Sequence, residues 1–210
     1  YGIPHFNVIM NVPNYETPKK NCYLREKFDI SESCKIYVIP GLLSLGRDLE
    51  NIIETFTTNK NMYMHHLVLM GYGPMVNKIK FTANTNDNIH FHEAVPEYSL
   101  VETVSSADYG IVGSQALSLS YNFAMPNKLF TYLMAEIPII CADLPEMGGF
   151  TKKFGIGNTY TPEDSSSLFE AIRNINSSDR SVYVRKLQEC KKIINWEAEE
   201  KKIYEIYSNK

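Results

Sequence analysis

The sequence predicts an α/β domain, a parallel sheet with helices packed on both faces. Three observations predict it. Short strand-like runs alternate with amphipathic helical stretches along the whole chain. The strand runs are apolar at successive rather than alternate positions, the pattern of strands covered on both sides. Loops that carry Gly41, Gly46, Gly71 and Gly73, and the loop that leads to Pro126, all follow strands, so they converge on one rim of the sheet.

The elements follow in order. Residues 7–12 read as a short strand closed by Pro13-Asn14, and 15–34 as a polar loop or loosely held arm. A strand over 35–39 leads through PGLLSLGR into a helix over 48–56, with Asp48 as its cap and Leu49, Ile52, Ile53 and Phe56 on one face. A strand over 66–70 ends in Gly71-Tyr72-Gly73-Pro74 and a helix carrying Val76, Ile79 and Ala83. A strand over 88–91, the loop HEAVPEY, a helix over 98–106 and a strand over 108–112 come next. Residues 118–125 read as a loop. Pro126 opens a helix with Asn127, Lys128 and Leu129 in its first turn, where a missing N–H costs nothing, and Leu129, Phe130, Leu133 and Met134 at helical spacing give it a buried face. A strand over 137–142 follows, then a helix over 144–154 broken at Gly148-Gly149. An extended piece over 157–161 and helices over 165–175, 181–194 and 197–207 complete the chain.

Bulk properties exclude several classes. With 210 residues, 44% hydrophobic, the chain fits one domain with its own core or two small ones, and no second hydrophobic core is evident along it. A net charge of −3 gives no broad attraction for nucleic acid. No apolar run reaches the length of a membrane span, and the N-terminus is neither a signal nor a transit peptide. Cys22, Cys34, Cys141 and Cys190 form no CxxC pair, which suits a reducing compartment and carries no metal signature.

Candidate chemistry gathers on the strand-end rim. Arg47 lies in a glycine-containing loop just before a helix and offers a fork of donors to an anion such as a diphosphate. The free N–H groups at the Pro126–Asn127 helix start, with Lys128, make a second anion-binding element. Each also reads as an ordinary surface cation. Gly71-Tyr72-Gly73 lacks the third glycine of a dinucleotide site and reads as a turn or a close backbone approach. His90 and His92 share one side of a strand without metal-ligating partners, and His65-His66 read as structural. No serine sits in a nucleophile elbow and no Cys–His arrangement is suggested, so no catalytic residue is named. The run 197–202, EAEEKK, reads as a solvated helix face.

The ordered set GLLSLGR after a strand, LVLMGYGP, NIHFHEAVPEYSL, SADYGIV and PNKLFTYLMAEIPIICADLPE resembles the C-terminal, donor-binding half of retaining GT-B glycosyltransferases (glycosyl transferases group 1). The resemblance covers residues 2–207. It implies a Rossmann-like fold, one half of a GT-B fold, with residues 1–210 forming a single nucleotide-sugar-binding domain. Residues 1–34 would be the lead-in segment and loop, and 195–210 a terminal helix returning toward an N-terminal domain.

The resemblance also implies a donor site. Gly41 would let the chain approach the diphosphate and Arg47 would hold it. Gly73 would adjoin the donor, the loop at Val95 would recognise the base, and Pro126, Asn127, Lys128 and Leu129 would contact phosphates. Thr131 stands where relatives carry a ribose-binding glutamate. Phe123 replaces a second glutamate, Glu136 a glycine and Leu42 the first basic residue of a pair. The implied function is sugar transfer, with retention, from a nucleoside-diphosphate sugar to a glycan or lipid-linked acceptor. It would use no metal or other cofactor and would need the enzyme's own N-terminal domain, with the isolated fragment inactive. The full enzyme would be cytoplasmic or membrane-peripheral. The departures keep two alternatives open: a non-catalytic nucleotide-binding or interaction module, and a GT-B-fold nucleotide-sugar epimerase.

Overall fold

The structure, a computed structural model, describes residues 7–208. Residues 1–6 of the lead-in segment and 209–210 of the terminal helix lie outside the described residues. Strands β1 (Lys35–Leu42), β2 (His65–Tyr72), β3 (Ile89–Glu93), β4 (Tyr109–Val112), β5 (Ile139–Ala142) and β6 (Gly157–Tyr160) run parallel in the order β3-β2-β1-β4-β5-β6. Ile36 to Ile39 and all of β4 and β5 are buried, as double-sided cover requires.

The helices are α1 (Tyr23–Lys27), α2 (Leu49–Thr58), α3 (Val76–Ala83), α4 (Glu97–Val104), α5 (Leu119–Asn122), α6 (Asn127–Ala135), α7 (Pro145–Phe154), α8 (Ser165–Ser177), α9 (Arg180–Lys191) and α10 (Trp196–Ser208). Helices α2 and α8 pack together, and α4, α6, α9 and α7 form a second packed row.

Strand order reverses between β1 and β4, the topological switch point where open α/β sheets bind ligands. These strands pair only at Tyr37↔Tyr109 and Val38↔Gly110 and then part. The Tyr132 hydroxyl of α6 reaches in from the side and donates to the carbonyls of Val38 (2.9 Å) and Ile111 (2.8 Å). Its ring lies on Gly110, where an added Cβ would meet ring atoms at 2.5 Å. Helix α6 is therefore pinned across both strands, with its N-terminus toward the crevice.

Several expectations are corrected. Residues 7–12 form no strand; instead the Met10 N–H donates to Glu199 (3.1 Å) and the Trp196 N–H to the Pro13 carbonyl (2.9 Å). Glu199 is fully buried, so the run 197–202 is not simply a solvated face. The arm 15–34 contains α1 and is tied down: Leu24 is fully buried, Lys20 donates to the Ala135 carbonyl (2.9 Å) and Arg25 pairs with Asp108 (3.3 Å). The loop 118–125 holds the single turn α5. Helix α7 runs unbroken through Gly148-Gly149; a Cβ at Gly148 would press on Asp143, so packing selects that glycine. Asp48 precedes α2 in the left-handed region (φ 55°) with no side-chain cap bond.

Glu136 ends α6, also in the left-handed region (φ 55°), where a glycine would be unstrained. Its carboxylate accepts from Gln188 (2.8 Å) and pairs with Lys191, whose side chain is 2% exposed. Burial opposes the charge on Glu136, but these partners outweigh it and hold its pKa low. Lys191 also donates to the Glu16 carbonyl (3.0 Å) and lies over the Tyr15 ring. Lys191→Met leaves Glu136 buried without its cation and should cost about 3 kcal/mol in denaturant unfolding. Combining it with Glu136→Gly should recover most of that, because no charge is then stranded and the backbone strain is relieved.

Candidate functional site

A cleft of about 640 Å³ opens over the switch point, a size suited to a small-molecule ligand. Its floor is the carboxyl ends of β1 and β2. One wall is the segment leading into α4, and the other is the N-terminal turn of α6. Gly41, Arg47, Val95, Pro126, Asn127, Lys128 and Thr131 all line it, so seven of the nine expected donor residues come together.

Leu129 does not line the cleft: it is fully buried in the core beneath α6, because it lies on the face of the helix turned to the sheet. Gly73 does not line it either. A Cβ there would collide with the Leu43 carbonyl, so Gly73 serves the packing of the β2–α3 turn on the β1 strand end. Gly41 differs from both. Its φ is +98° and an added Cβ would meet no protein atom within 4 Å, so close packing does not explain it.

Pro126 itself is the N-cap (ψ 138°), and Asn127 and Lys128 form the first turn of α6. Their N–H groups add to the positive end of the helix. Lys128 is half-buried, and burial first, then the neighbouring Arg47, push its pKa down to about 8. The Arg47 guanidinium rests on the Tyr121 ring, 5.7 Å from its centroid. Among the described residues neither cation has a carboxylate within ion-pair distance. Two unpaired cations at a helix N-terminus leave uncompensated positive charge, an arrangement that an anion relieves.

Thr131 lies one turn further along α6, almost buried, its hydroxyl donating to the Asn127 carbonyl (3.3 Å). Residues the sequence reading did not single out also line the cleft: Tyr72, Glu97, Leu100 and Met125. The strand register could have found Tyr72, since it pairs with Leu42 next to Gly41. Glu97 and Leu100 depend on how α4 sits on α6, which local pattern does not report.

The histidines serve the sheet edge. His66 Nδ1 and His90 Nε2 are 2.9 Å apart, so one donates to the other, and Phe28 stacks on His90. Burial pushes His90 down to about 4. His92 Nε2 meets the Tyr23 hydroxyl at 2.8 Å. Among the described residues no group of three or more His, Cys, Asp or Glu could hold a metal ion.

Solved structures share this architecture. HepE from Anabaena, described in complex with UDP and glucose, superposes with a TM-score of 0.76 at 13% identity, over 97% of this chain and 57% of that one. Sucrose-phosphate synthase from Thermosynechococcus elongatus gives 0.72 at 16% identity, over 97% and 52%. The C-terminal domain of a glycosyl transferase group 1 family protein, LpcC, from Francisella tularensis gives 0.63 at 12%, over 83% and 93%. The chain thus spans about half the length of the two larger proteins, and the fold is one half of a GT-B glycosyltransferase fold. Residues 50–202 match the family model of the Glucosyltransferase 3-like, C-terminal domain, and the chain belongs to that family. No curated protein matches the sequence at a significant level.

The Lys128 titration can be followed by NMR of labelled lysine side chains, with an expected midpoint near 8. Arg47→Ala should move it upward, toward the ordinary 10.5, because one of the two depressing influences is gone. Between these values the unfolded chain binds more protons than the folded one. This group alone therefore makes stability rise with pH through that window.

Proposed function

We propose that this domain binds the donor of a glycosyltransferase, a nucleoside-diphosphate sugar, with the diphosphate against Arg47, Lys128 and the α6 N-terminus. The observation that carries the reading is the pair of cations, unpaired among the described residues, at a helix start in the switch-point cleft. The base would lie toward Val95, with Gly41 leaving room for the diphosphate. Cations and helix end would stabilise the departing nucleoside diphosphate in place of a metal. HepE, described with UDP and glucose bound, supports this donor class.

Transfer would proceed with retention to a glycan or lipid-linked acceptor, with an N-terminal domain supplying the opposite wall of the cleft. The compartment would be cytoplasmic, with the full enzyme free to associate peripherally with a membrane. The domain alone would bind donor without transferring sugar, because both walls are needed to align the reactants.

Calorimetric titration with UDP and GDP tests the reading. Arg47→Ala and Lys128→Ala should each weaken binding by roughly 1.5–3 kcal/mol, the loss of a charge-assisted hydrogen bond. Unchanged affinity in both variants would rule out the clamp. Above about pH 8 the wild type should lose affinity, by up to about tenfold per pH unit, as Lys128 deprotonates. Lys128→Ala should show no such fall.

Thr131 lines the cleft on the same helix as Lys128, with its hydroxyl already engaged by its own backbone. A carboxylate there would accept from both ribose hydroxyls, where a threonine manages about one bond. Thr131→Glu should therefore tighten UDP or GDP binding by about 1 kcal/mol. Equal or weaker binding of both nucleotides would count against a ribose subsite at this position.

A further inference from the structure

Asp48 combines two costs beside the cleft. It is a non-glycine residue held at φ 55°, where the Cβ of an L-residue is crowded. It is also a carboxylate only 1% exposed, with Oδ1 buried and without a partner among the described residues. Neither is needed to start α2: the side chain makes no cap bond, and the backbone carbonyl already accepts from the Ile52 N–H at 3.0 Å. Uncommon backbone geometry and partly satisfied buried charge that persist together point to a task for that residue.

The other oxygen shows what the task is. Oδ2 accepts from the Tyr160 hydroxyl (2.8 Å), from Asn51 (3.0 Å) and from the Glu163 N–H (3.3 Å). Tyr160 ends β6, and Glu163 lies in the turn before α8. One carboxylate therefore ties the loop between β1 and α2 to the far end of the sheet. The β4 strand end closes on the same spot. A Cβ at Gly113 would collide with the Arg47 carbonyl, and the Gln115 N–H donates to the Gly46 carbonyl at 3.0 Å. The backbone on either side of Arg47 is thus fixed from outside the cleft.

We propose that Asp48 is a positioning residue for the anion site: its buried carboxylate, clamped by Tyr160 and the Glu163 N–H, fixes the backbone that aims the Arg47 guanidinium at the space beside Lys128. The inference rests on the donor-binding reading above and adds a residue that never touches the ligand.

A double-mutant cycle read by UDP titration of this chain tests it, with thermal unfolding recorded for each variant. Asp48→Ala should lower UDP affinity about tenfold, and Tyr160→Phe, which changes no residue of the Arg47 loop and removes one donor to Asp48, about threefold. Asp48→Asn still presents an oxygen to Tyr160 and the Glu163 N–H and should restore most of the loss. The decisive value is Asp48→Ala combined with Arg47→Ala. It should bind no more weakly than Arg47→Ala alone, because a misplaced arginine and a missing one are equivalent. A purely structural role would lower the melting temperature and leave the two effects multiplicative, which would overturn the proposal. So would folded Asp48→Asn and Tyr160→Phe proteins that both bind UDP within twofold of wild type with Asp48→Ala also unchanged or unfolded. Failure of the wild type to bind UDP or GDP would overturn the donor reading and the clamp together. Binding by the wild type with no coupling would overturn the clamp alone.

Discussion

The contact on which the site depends is the Tyr132 ring against Gly110, with its hydroxyl on the carbonyls of Val38 and Ile111. A parallel sheet that reverses its order must open between two strands, and the opening leaves polar backbone with few partners. Here one side chain both closes the depth of that gap and fastens a helix across it. The helix start is thereby delivered to the mouth of the gap. Burial pushes the Tyr132 phenol well above its usual range, so it stays a neutral donor throughout the working pH range.

Above this joint the chemistry is a balance between desolvation and ligand charge. Arg47 and Lys128 stand close enough that one depresses the other. Like charges are held together only where the fold over-determines their positions. Stacking on Tyr121, the close approach of Gly113 and the buried Asp48 supply that constraint around the arginine. An incoming diphosphate would reverse the sign of the interaction, turning mutual repulsion into shared attraction.

Much of this was legible in the sequence. Continuous apolar runs declared the covered parallel sheet, and glycines after strands declared the rim. Seven expected residues meet in the cleft: the place of Gly41, Arg47 and the Pro126–Lys128 helix start follows from strand-end position, that of Val95 and Thr131 from the resemblance alone. What stayed hidden was what depends on partners distant in sequence. Leu129 is not such a case: the helical spacing of Leu129, Phe130, Leu133 and Met134 already gives α6 a buried face, and only the resemblance places Leu129 against the ligand. Glu199 sits in a highly charged run and is nevertheless buried, because Met10, nearly two hundred residues away, needs an acceptor. The arm before β1 reads as polar loop, since its hold on the domain comes from single contacts such as Lys20 to the Ala135 carbonyl. Asp48 looked like a helix cap because its position fits one. Its left-handed backbone and the approach of Tyr160 are tertiary facts.

Glu136 stands at the joint where α6 turns into β5. A glycine there would leave the helix free to pivot on the strand, since its backbone crosses between basins with little resistance. Glutamate, held by Gln188 and Lys191, converts that pivot into a bracket. The bracket extends through Lys191 to the carbonyl of Glu16 and the ring of Tyr15, so α9 and the N-terminal arm are mechanically in series with the helix that faces the cleft. The end of α6 is thus braced through one short chain of contacts against α9 and the arm, where a glycine would leave a soft turn.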